Sequence, residues 1–101
     1  MRRNLSWIPE LVHKENGDIY GHGYIDRCMC QAFDIEYSEF FYVADWTEIV
    51  VYQLANGKTL EQLIDKYRTI VETDEYPCQR YIDLWRVCAY LNEHFKVQRN
   101  V

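Results

Sequence analysis

"QAFDIEYSEFFYVADWTE", residues 31–48, is where the periodicity of this chain changes, and its reading decides the fold. Over 31–37 apolar and polar side chains alternate, with Phe33, Ile35 and Tyr37 on one face and Asp34, Glu36 and Ser38 on the other. A period of two predicts a half-buried strand. The consecutive aromatics Phe40, Phe41 and Tyr42 that follow predict a bulge or a second strand buried on both faces. From Asp45 the period lengthens to that of a helix. Asp45 reads as a capping side chain, with Glu48 as the acid three residues on.

Downstream, the pattern predicts three helices. The first runs over about 46–55 and stops at Asn56-Gly57, a left-handed C-terminal signal. Thr59 and Gln62 form a capping box for the second, about 60–71, with Leu60, Leu63, Ile64, Tyr67, Ile70 and Val71 on one stripe. The third opens near Pro77 and runs over about 77–95, with Tyr81, Leu84, Trp85, Cys88, Leu91 and Phe95 facing one way. Upstream, Asn16-Gly17 lies between two short runs and predicts an antiparallel hairpin, with Pro9 at the edge of its first strand. A short helix from Pro9 to Gly17 is the competing reading. The expectation is an α+β domain over residues 1–101: a hairpin or small sheet within about 10–44, then three helices.

With 49% apolar and 27% charged residues, the chain can bury an adequate core without a disulfide, a structural metal or a cofactor. No apolar run approaches the roughly 20 residues of a membrane span, and Pro9 interrupts the N-terminal segment before a signal-peptide core could form. A cytoplasmic location is therefore expected, with Cys28, Cys30, Cys78 and Cys88 as reduced thiols. Cys78 and Cys88 fall on a helical pattern, as small hydrophobes do.

Net charge is −5 and unevenly distributed. Residues 1–50 carry nine acids against four bases, and residues 51–101 carry seven of each. Between 28 and 50 stand Asp34, Glu36, Glu39, Asp45 and Glu48 with no base at all. Such a field repels nucleic acid and attracts basic surfaces. Residues 54–67, LANGKTLEQLIDKY, have the helix, glycine turn and helix of a helix-turn-helix. On those capping and core features the segment loosely resembles the matching stretch of small bacterial antitoxin-type domains. Residues 58–71 offer the bases Lys58, Lys66 and Arg68, balanced by Glu61 and Asp65 and by Glu72 just beyond, which disfavours DNA contact.

Two chemical constellations compete with a binding role. His22, Cys28 and Cys30 are zinc-type ligands, but Cys-x-Cys is a poor spacing for a structural zinc site. Cys28 or Cys30 with His22 and Asp26 could form a nucleophilic triplet, but an acidic neighbourhood raises a thiol pKa. Glycine-rich phosphate loops are absent. Sixteen per cent aromatic content is more ring area than a domain this small can hide. The expectation is therefore a non-enzymatic protein that offers Asp34, Glu36, Glu39, Tyr42, Asp45, Trp46 and Glu48 to a basic protein partner. Mimicry of nucleic-acid phosphates is a variant of this reading, and a regulatory homodimer is the alternative.

Overall fold

The computed structural model describes residues 8–35 and 46–99. It is an α+β structure with the order β1 (Glu10–His13), α1 (His22–Ala32), α2 (Trp46–Ala55), α3 (Leu60–Thr73), α4 (Gln79–His94) and β2 (Phe95–Gln98). The two strands pair antiparallel, with Glu10 opposite Gln98 and His13 opposite Phe95. The expected strands at 36–44 and the expected cap Asp45 lie outside the described residues.

The downstream half follows its sequence signals closely. Thr59 accepts the Gln62 backbone N–H at 3.1 Å while Gln62 Oε1 accepts the Thr59 N–H at 2.9 Å, closing the capping box of α3. Gly57, at φ +96°, ends α2 in the left-handed region. Leu60, Leu63 and Tyr67 bury one face of α3, and Leu84, Val87, Cys88 and Leu91 bury one face of α4. These two helices form the most extensive contact between elements. Gln53 and Tyr67 tie α2 to α3: the amide donates to the phenol oxygen at 2.9 Å, and the phenol donates back to Oε1 at 3.1 Å.

The upstream half corrects the sequence reading in three ways. First, the strand expected over 31–37 is not formed at 31–35, because α1 reaches Ala32 and places Ile25, Asp26, Met29 and Cys30 on a buried helical face. The chain then turns through a Schellman motif: Ile35 N–H donates to Cys30 O at 2.9 Å and Asp34 N–H to Gln31 O at 3.3 Å. Asp34 holds the left-handed position at φ 56°. Phe33 continues the helical stripe one turn beyond Met29, so its apparent alternation with Ile35 is incidental.

Second, the hairpin is only a turn. Asn16 Oδ1 accepts Asp18 N–H at 2.9 Å, and Gly17 takes φ +74°, as the Asn-Gly signal requires. The return limb is limited to one bridge between Val12 and Ile19. Gly21 then caps α1 in extended geometry, and the chain enters the helix before a second strand can grow. The competing helix over Pro9–Gly17 does not form either, since residues 10–13 are strand.

Third, the sheet partner of β1 comes from the other end of the chain. The last expected helix starts at Gln79 and stops at His94, and Phe95 opens β2. Among the described residues there are four helices, one more than expected. None of them is long and apolar enough to cross a membrane.

Candidate interaction surface

Helix α1 carries the surface, and one buried carboxylate fixes where it sits. Asp26, 3% exposed, accepts from both the Thr47 hydroxyl at 2.5 Å and the Thr47 backbone N–H at 3.2 Å. Thr47 is the second residue of α2, so a carboxylate from α1 satisfies a backbone donor in the first turn of α2 and sits at the positive end of its dipole. The two helices are thereby registered to each other.

At the start of α1, rings are stacked outward from the core. Phe95 is 2% exposed. Tyr20 meets it edge to face at 5.3 Å, and Tyr24 meets Tyr20 in the same manner at 5.2 Å. His13 stacks on Tyr20 at 5.0 Å. Tyr24 ends the series at 59% exposure, and Ile19 beside it is 57% exposed. Asp18, Ile19, Tyr20, Gly21 and Tyr24 line one shallow depression, which continues past Ile8 and Pro9 into another. The surface combines exposed aromatic and aliphatic side chains with the Asp18 carboxylate at its edge, and its outermost rings are braced from behind. Sequence reading missed these residues because it assigned 18–25 to a strand.

Of the side chains singled out by sequence, Glu36, Glu39, Tyr42 and Asp45 lie outside the described residues. Asp34 is exposed just beyond α1, and Glu48 is exposed in the first turn of α2. Trp46 is half-buried against the core, and its indole N–H is fully buried with no hydrogen-bond partner among the described residues. It lines a pocket of about 20 Å³ with Asp26, Met29, Cys30 and Phe33, room for about one water and for no larger ligand.

Cys28 and Cys30 both belong to a helix. On α1 they stand about 200° apart, so Cys30 is buried and Cys28 only half-buried. His22 opens the same helix two turns before Cys30, about 12 Å of rise away. Among the described residues no group of three or more His, Cys, Asp or Glu could hold a metal ion. Burial first, and the Asp26 charge second, push the Cys30 thiol up, and burial pushes Cys88 up to about 12. Both are protonated at neutral pH and neither is an activated nucleophile.

Compared with protein families, curated proteins and solved structures, the chain matches none.

Proposed function

We propose that this chain is a small acidic binding protein that acts by occupying a surface on another protein, as inhibitors, immunity proteins and antitoxins do. The observation that carries the reading is the ring series from Phe95 through Tyr20 to Tyr24, with Ile19 exposed alongside. An exposed aromatic braced by packed rings loses little conformational freedom on binding, which is the property of an interface anchor. Asp18 at its edge, together with the acidic balance of residues 1–50, favours a basic partner through steering.

The test is site-specific photo-crosslinking in the native host. A benzophenone side chain at position 24 is expected to give a discrete heteromeric product. The same probe at Tyr76, an 83% exposed ring on the α3–α4 connection, is expected to give none. Ile19→Ser should suppress the product at 24. A product of twice the chain mass would favour the homodimer, and equal labelling from both positions would refute a dedicated surface.

A further inference from the structure

We propose a second docking site, a groove between β2 and the α2–α3 turn that takes up an extended acidic peptide segment of a partner protein as a third strand. It shares only the buried Phe95 with the Tyr24 surface and is tested separately.

The strand edge comes first. Residues 12 and 10 of β1 face 96 and 98, and Lys14 N–H donates to His94 O at 2.9 Å in the same phase. On the other side of β1, Tyr20 N–H donates to Leu11 O and His13 N–H to Asp18 O. Antiparallel ladders alternate, so even-numbered residues of β2 bond to β1, and Phe95 and Val97 turn their backbone groups to the opposite edge. The Phe95 N–H is used by Leu91 O at the end of α4. The Val97 N–H and C=O have no partner among the described residues. A strand edge of this kind is a template for an added strand.

The charge of the groove selects the occupant. A space of about 490 Å³ runs beside this edge, with the buried Leu54 and Leu60 in its lining and Lys14, Lys96 and Arg99 around it. Glu61 is the one carboxylate among the lining residues, so three cations against one acid leave +2 there, in a chain whose net charge is −5. Among the described residues none of the three cations is ion-paired. Lys14 Nζ donates to Asn92 O at 2.8 Å, and the Arg99 guanidinium donates to Leu54 O at 2.7 Å and Lys58 O at 2.9 Å. These bonds hold two of the cations in place and leave each with spare donors. Capping of helix ends accounts for Lys14 and Arg99 but not for Lys96, which makes no hydrogen bond or ion pair among the described residues. An added strand would set the side chains of one face, every second residue, toward the three cations. The fitting segment therefore alternates apolar and acidic residues.

The probe is a short, end-blocked peptide alternating valine and glutamate, titrated into the isotopically labelled full chain. Binding is expected to move the Val97 and Arg99 amide signals and to slow Val97 exchange. Lys14→Gln combined with Lys96→Gln should weaken it about tenfold, since each removes a charge near the bound carboxylates. The valine–lysine peptide should not bind, and N-methylation of the strand-pairing amides should abolish binding. The proposal is overturned if the methylated peptide binds equally well, which would reduce the groove to charge attraction. It is overturned equally if a single-stranded oligonucleotide binds there more tightly, if Val97 shifts with protein concentration alone, which would identify a second copy, or if no signal near β2 moves.

Discussion

Asp34 occupies the position past a helix where glycine is the usual residue. At φ 56° its Cβ is strained by about 1 kcal/mol, offset in part by the two Schellman bonds it allows. Asp34→Gly should therefore stabilise the fold by about 1 kcal/mol in urea denaturation, less the extra backbone entropy of glycine in the unfolded chain. A loss of stability would mean that the carboxylate itself holds the turn. Cys88 gives a second residue-scale test through pH. Burial raises its thiol from 9.0 to about 12. Between those values the unfolded chain has released the proton while the folded chain retains it, so stability falls as pH rises through this window. The slope from this group is about 1.4 kcal/mol per pH unit, and below pH 9 it vanishes. The stability advantage of wild type over Cys88→Ala should accordingly shrink by more than about 1 kcal/mol between pH 9 and pH 10.5. A constant gap would show a thiol that titrates normally.

At the scale of elements, the contact between α1 and α2 turns on Asp26 and Thr47. Asp26→Ala should cost about 2–4 kcal/mol, because it leaves a buried hydroxyl and a first-turn N–H without their acceptor. A double-mutant cycle with Thr47→Val isolates the hydroxyl bond, and a coupling of about 1 kcal/mol or more is expected. Coupling below about 0.3 kcal/mol would assign the role of Asp26 elsewhere. This contact also shows why half the fold was legible and half was not. The second half announces itself by local chemistry: the Thr59–Gln62 box and Gly57 act within a few residues of where they stand. Helix α1 has no such signal. Its N-cap Gly21 makes no side-chain bond, Gly23 lies inside it, and its buried face includes a carboxylate that accepts from Thr47 of α2, far away in sequence. Its stripe of Ile25, Met29 and Phe33 is present in the sequence but is masked by the shorter alternation around Phe33. Strand β2 is similarly obscured, since Phe95 extends the α4 stripe and its strand partner is at the opposite end of the chain. The candidate surface inherits this: Ile19 and Tyr24 are visible as residues, but their exposure follows only once α1 is a helix.

For the whole molecule, the sheet joins the two ends of the described chain, residues 10–13 to residues 95–98. Such a pairing closes nearly the longest loop available, and loop-closure entropy opposes it until the intervening elements are packed. The α3–α4 pair has the opposite character, since it makes the most extensive contact in the fold across a connection of residues 74–78. Local contacts form early and non-local pairings late. Folding is therefore expected to nucleate on α3 and α4 and to close with the sheet. Leu63→Ala and Leu91→Ala, at side chains 1% and 0% exposed, should each cost about 2–5 kcal/mol and mainly slow folding, with φ-values above about 0.5. Leu11→Ala, in β1 and 1% exposed, should cost a similar amount but mainly accelerate unfolding, with a φ-value below about 0.3. Stopped-flow chevrons of the three variants decide the matter. If Leu11→Ala slowed folding as much as Leu91→Ala, the chain ends would already be joined in the transition state. The sheet would then be part of the nucleus, and the late closure argued from its topology would be wrong.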